Sequence, residues 1–273
     1  MKRAIIRYRI DFISVAVVMA VLSIQLLAVV RMAPWYTAVV ILLLIRHVSL
    51  VEHNHAHLSV FRPRILNEIL GWLCFLSNGI PLEFYRLHHV RNHHRYNQRF
   101  ESEERDWSST FGFQGASFPD SPIGKVYYVA TFPLITICTC LIELLRSPGS
   151  RRLRRFATSI AIVAFISILL CVINWTGFVT FFAFPWLIVF FGHGFNNYDQ
   201  HKGCSMADPI NSANESLSFR GKSIWFNIGY HIEHHMKPDL HWSQLPKLHN
   251  QISHLIPPER FQGIIGTSQA RRI

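Results

Sequence analysis

The sequence predicts an all-α membrane protein: about four transmembrane helices in two hairpins, one or two interfacial helices, and a cytosolic helical region that caps them. Three observations carry that reading. Half of the 273 residues are hydrophobic, with 21 Phe and 7 Trp, and only 16% are charged, against about a quarter in soluble domains. The apolar residues fall in long runs, which makes the bilayer their solvent. Lys and Arg outnumber Asp and Glu by 27 to 16, and they cluster beside those runs, as cations do at a membrane surface. No nucleic-acid-binding signature accompanies the basic charge, so no nucleic-acid partner is expected.

The elements follow in order. Lys2, Arg3, Arg7 and Arg9 precede residues 12–30 (FISVAVVMAVLSIQLLAVV), which at about 1.5 Å per residue are long enough to span. The basic start without a small-residue cleavage site reads as a retained anchor. After a break at Pro34, residues 33–51 make a second span, with Arg46 and His47 near its far end, so 12–51 is a hairpin with both ends cytoplasmic. Residues 68–84 are apolar but broken by Gly79 and Pro81, which favours an interfacial or re-entrant helix. The loop RSPGSRRLRRF at 146–156 is strongly basic and NWTG at 174–177 is short and uncharged, so 157–173 and 176–192 form an out-and-back hairpin. Residues 127–145 then begin and end on one side, which predicts an interfacial helix containing Pro133. The polar stretches 95–126 and 194–273 form the cytosolic cap of a single integral-membrane domain. The five cysteines form no CxxC pair and read as buried thiols.

Sixteen histidines are present, and most are clustered. His53 and His57 stand at i, i+4 in VEHNHAHLS; His89, His93 and His94 at i, i+4, i+5 in HHVRNHHRYN; His231, His234 and His235 at i, i+3, i+4 in YHIEHH; His193 is alone in FFGHGFNNYDQH. Residues three or four apart share a helix face, so each cluster can aim two imidazoles at one point, and imidazole suits iron, zinc, copper and nickel. The surplus of ligands over one ion's needs points to two metals. Every cluster, and His193, falls just cytoplasmic of an apolar run. His55 lies about 200° from His53 on a helix, which disfavours it, and His88 is the alternative to His89. His47, His201, His241, His249 and His254 read as structural.

HNHAH, HHVRNHH and YHIEHH, in that order and separated by apolar hairpins, resemble the three histidine boxes of the membrane fatty acid desaturase family, which includes related hydroxylases and ketolases. ERDWSSTF at 104–111 and EHHMKPDLHWSQLPKL at 233–248 are similar to family segments too. The resemblance covers roughly 40–250. It implies two non-haem irons held by His53, His57, His89, His93, His94, His231, His234 and His235, with His193 as the isolated ligand and His201 as its alternative. Glu52, Asp199, Asn227 and Glu233 lie close enough in sequence to orient ligand imidazoles through their other nitrogen.

What the resemblance implies is O2-dependent desaturation of a fatty acyl chain delivered as a CoA, carrier-protein or lipid ester, in a bacterial inner membrane or the ER, with the boxes facing the cytoplasm. A hydroxylase, ketolase or acetylenase would use the same centre. A membrane metal-binding protein or transporter is the reading from another class, against which the apolar runs contain almost no ionisable residues. With no haem-binding, flavin or iron–sulfur motif in the chain, electrons are expected from a ferredoxin or cytochrome with its reductase. His249 and His254 are expected to tolerate replacement by alanine.

Overall fold

The computed structural model describes residues 4–100, 104–111, 121–205, 208–218 and 222–262. Parts of the expected cap, including Glu101 and Glu103, lie outside them, as do Lys2 and Arg3. The described residues are helical, with two isolated β-bridges. The longer helices are α1 (Phe12–Val30), α2 (Thr37–His57), α3 (Arg64–Asn78), α4 (Leu82–Tyr96), α5 (Pro122–Leu145), α6 (Arg151–Phe178) and α7 (Phe184–His201), followed by short α8 (His231–Met236) and α9 (Leu245–Ile252).

Among the described residues, four helical stretches can cross a membrane by length and composition: Arg9–Val30, Thr37–His57, Pro122–Leu145 and Arg151–His201. The fold is thus that of an all-α membrane protein. Within the last stretch the backbone leaves helical geometry at Asn174 (φ −159°, ψ 94°), at the start of the expected NWTG turn. Asn174 stabilises the break by accepting a hydrogen bond from the Gly177 N–H (2.9 Å) and donating to the Val29 carbonyl (3.0 Å). Pro122–Leu145 contains the stretch 127–145 expected to be interfacial. Its 24 residues are long enough to cross, and Pro133 sits inside the helix without ending it. The interfacial assignment came from counting sides between basic loops, and the helix itself carries nothing that requires it.

The chain packs as two compact units, residues 1–86 with 140–192 and residues 87–139 with 193–273. In the first, Leu22 and Val29 of α1, Ile41 of α2, Phe75 of α3, and Val163 and Leu170 of α6 share a core with Phe181 and Phe182. Leu27, Leu43, Phe165, Ile168 and Val172 are exposed from the same helices, as helices in lipid require. Gln25, fully buried, donates to the carbonyls of Ser77 (3.1 Å) and Phe181 (3.0 Å) and accepts from the Ser77 hydroxyl (2.6 Å). Every hydrogen bond it makes is internal, which is the condition for a polar side chain in a bilayer.

In the second unit a loop is tied down by polar side chains rather than by an apolar core. The Gln98 side-chain oxygen accepts from the Thr110 N–H (2.8 Å) and hydroxyl (2.7 Å), while its own N–H donates to Asp106 (2.9 Å). Tyr128 of α5 (2.7 Å) and Asn197 of α7 (3.1 Å) both donate to the Ser108 carbonyl. Two small clusters, Ala213–Ile232–Ile256 and Leu217–Tyr230–Leu245, seat α8 among its neighbours.

Candidate metal centre

The local chain departs from ideal α-helical spacing at α4. Residues Tyr85–His93 are wound as a π-helix, which repeats hydrogen bonds from i to i+5. In an α-helix His89 and His94 would lie about 140° apart around the axis. The wider winding brings their Nε2 atoms to 3.1 Å.

Within the second unit the histidine Nε2 atoms converge in two groups. His234 of α8 lies 3.0 Å from His94 and 3.5 Å from His89, Nε2 to Nε2. His201 Nε2, at the end of α7, lies 3.0 Å from His93 Nε2 and 3.1 Å from His231 Nε2. The ring of His235 stands between the groups, with centroids 4.3 Å from His94, 4.7 Å from His201 and 5.0 Å from His93. His93, His201 and His235 each offer a ligand atom within 4.8 Å of the others. Among the described residues the buried Nε2 of His235 has no hydrogen-bond partner.

The spacing is informative. Facing imidazole lone pairs at 3 Å repel unless a proton or cation lies between them. Nitrogens bonded to one ion at about 2.1 Å, at angles near 90°, are about 3.0 Å apart. Burial, then repulsion from His201, His231, His93 and His234, lowers the His235 pKa well below its ordinary value, keeping the ring in the neutral form that binds metal. The donors present therefore fit metal binding, and they are all imidazole.

Two of these rings are oriented through Nδ1, leaving Nε2 for an ion. His201 Nδ1 donates to the Ser212 carbonyl (3.2 Å). His93 Nδ1 pairs with Asp106 Oδ2 (2.8 Å), both groups being fully buried. Asp106 also accepts from the Ser108 N–H (2.8 Å) and hydroxyl (2.7 Å). Burial alone would raise the Asp106 carboxyl, but the charge of His93 and these hydrogen bonds outweigh it and hold it well below the usual carboxylate range.

The other histidines considered as ligands are placed as follows. The isolated histidine brought beside His93 and His231 is His201, whereas His193 lies eight residues earlier, about 12 Å along the helix. The apolar run ends near 192, but α7 continues two turns beyond it before bringing His201 to His93 and His231. In the first unit His53 and His57 share one face of α2, with ring centroids 5.3 Å apart. His55 is occupied by structure: Nε2 bonds the Asn67 carbonyl (3.0 Å) and Nδ1 accepts from the Val60 N–H (3.3 Å). His88 packs against Phe132 and Trp107.

Of the four residues expected to orient ligands, Glu52 accepts from Asn78 (2.7 Å) and Asp199 pairs with Lys125 (2.6 Å). Asn227 holds a turn at φ 54° and donates to the Trp242 carbonyl (3.1 Å). Glu233 bonds His249 (2.7 Å). Asp106, which pairs with His93 of the second box, lies in ERDWSSTF; the segment was conspicuous, but nothing in its spacing singled out that one acid. His241 caps a short turn through Ser243, as a structural histidine would.

A scan against protein-family models matches the fatty acid desaturase family over residues 7–262. No curated protein matches the chain, and no solved structure does. With nearly its whole length matched and box histidines converging at metal-ligand spacing, this chain is a member of the fatty acid desaturase family.

Proposed function

We propose that the protein is an O2-dependent, non-haem di-iron desaturase that introduces a double bond into a fatty acyl chain. The observation that carries the reading is the pair of convergent Nε2 groups, His89–His94–His234 and His93–His201–His231, in a chain of this family. His235, standing between them, is proposed as a further ligand, and His53 and His57 are added on the resemblance of the first box. His201 replaces His193 as the isolated ligand.

Two irons so held supply activation of O2 for attack on an unactivated C–H bond. The protein's own contribution is to orient His93 through Asp106 and His201 through Ser212, and to keep His201 and His235 neutral by burial. Its apolar helices provide surroundings in which a hydrocarbon chain is at home and water is scarce. Electrons come from a ferredoxin or cytochrome with its reductase. The acyl group arrives as a CoA, carrier-protein or lipid ester, with the boxes on the cytoplasmic face of a bacterial inner membrane or the ER.

The test is the lipid profile of a host expressing the gene, with metal counting on the detergent-purified protein. New unsaturated acyl chains and about two irons per chain are expected, both lost in His93→Ala, His94→Ala and His234→Ala but kept in His254→Ala. Exclusively hydroxylated, ketone or acetylenic products would make it another member of the family. Zinc with no oxygen consumption would make it a metal-binding protein.

A further inference from the structure

His249 was expected to be a bystander, yet it is 2% exposed and bonded to a third-box residue. His249 Nδ1 lies 2.7 Å from Glu233 Oε1, and Glu233 is the residue immediately before His234. Glu215 is also fully buried and close enough to Glu233 for the two carboxyl groups to interact electrostatically. Glu215 Oε1 accepts from the Ile232 N–H at 2.7 Å, and the N–H of His231 also bonds this carboxyl. These N–H groups open α8, where a helix leaves its first donors without internal partners. Glu215 is itself immobilised. Its N–H donates to the Arg260 carbonyl (2.7 Å) and its carbonyl accepts from the Gln262 N–H (2.8 Å).

We propose that Glu215, Glu233 and His249 are positioning residues, a buried clamp that fixes the six-residue helix carrying His231, His234 and His235. The inference rests on the functional reading above. A helix of six residues has almost no stability of its own, so its rotation and pitch must be set from outside. Glu215 grips the amino end and His249 holds the side chain one turn in. Together they leave α8 a single orientation, from which His231 Nε2 reaches His201 and His234 Nε2 reaches His94. The three residues span 35 positions of sequence, and only Glu233 lies in a histidine box.

The clamp depends on donors and acceptors at particular atoms, so conservative variants distinguish it from mere filling of space. Asparagine places an amide N–H where Nδ1 of histidine stood. Glutamine at 215 keeps an acceptor for Ile232 and gains a donor toward Glu233. The measurement is iron affinity of the purified full-length protein, by chelator competition, with thermal unfolding recorded in parallel. His249→Ala and Glu215→Ala should bind iron 10- to 100-fold more weakly, the usual cost of losing a residue that orients metal ligands. His249→Asn and Glu215→Gln should recover most of that loss. If the alanine variants do not accumulate, His249→Gln, whose amide falls at the Nε2 position, should bind more weakly than His249→Asn. Unchanged affinity in His249→Ala, or equal loss in the conservative variants, overturns the clamp alone. Three metals per parent chain, falling to two in Glu215→Gln, overturns it in favour of a metal held by these residues. A parent that binds no iron overturns the functional reading as well.

Discussion

His93 shows how much a single residue's surroundings can assign. Both of its nitrogens are committed, Nδ1 to the Asp106 carboxylate at 2.8 Å and Nε2 toward His201 at 3.0 Å, an arrangement that fixes ring orientation and leaves one lone pair for an ion. His201 is built the same way, with Nδ1 on the Ser212 carbonyl. Asp106→Asn should therefore keep the fold but weaken iron binding or activity by 10- to 100-fold. His201→Ala should release iron, and His193→Ala should retain it. Iron counting on the three purified variants decides the matter: loss in His193→Ala with retention in His201→Ala would return the isolated ligand to His193. The sequence made the box histidines legible because their spacing is local. It could not rank His201 above His193, since that choice depends on how far α7 continues past its apolar stretch, and His201 carries no neighbour that marks it. Asp106, Glu215 and His249 were illegible for the same reason, each bonding a residue of a histidine box from a distance in sequence.

At the scale of elements, breaks in helices matter as much as the helices. The π-helical winding of Tyr85–His93 turns an i, i+5 pair into neighbours, which counting by 3.6 residues per turn could not foresee. Gly79 and Pro81, by contrast, were read correctly as an interruption. Gly79 ends α3 in the left-handed region at φ 80°, as helix-terminating glycines commonly do. A Cβ built there would overlap Cγ of Trp186, whose indole N–H bonds the Leu76 (3.1 Å) and Ser77 (3.0 Å) carbonyls at that same helix end. Gly79→Ala meets both a backbone penalty of about 1–2 kcal/mol and an overlap costing about 1–3 kcal/mol. It should lower the thermal midpoint of the detergent-solubilised protein by several degrees, and an unchanged midpoint would show that the indole can swing aside freely. The assignment of residues 127–145 shows the opposite limit. Charge counting orders loops by side, but it cannot tell a spanning helix from one lying flat when the apolar length permits both.

On the scale of the whole molecule, two properties are set by composition: residence in a membrane and a net charge of +11. The second bears on the electron supply. Exposed Arg91 and Arg95 accompany His89, His93 and His94 on α4, with Arg99 just beyond, and exposed Lys237 follows α8 directly. The second-unit histidines proposed as ligands are thus flanked in the chain by cations on the protein's surface. An acidic redox carrier would be drawn to such a surface, because charge complementarity raises association rates far more than it raises affinity. Ions screen that attraction over a Debye length of about 10 Å at 0.1 M salt and about 3 Å at 1 M. The rate at which an acidic carrier reduces the purified protein should therefore fall roughly tenfold or more as salt is raised from low to molar levels, since electrostatic steering contributes about 10- to 1,000-fold to such rates. Stopped-flow absorbance under anaerobic conditions measures it, and reduction by an uncharged mediator should stay nearly constant across the same series. A carrier rate indifferent to salt would mean that docking is apolar and that the cations serve the lipid headgroups instead.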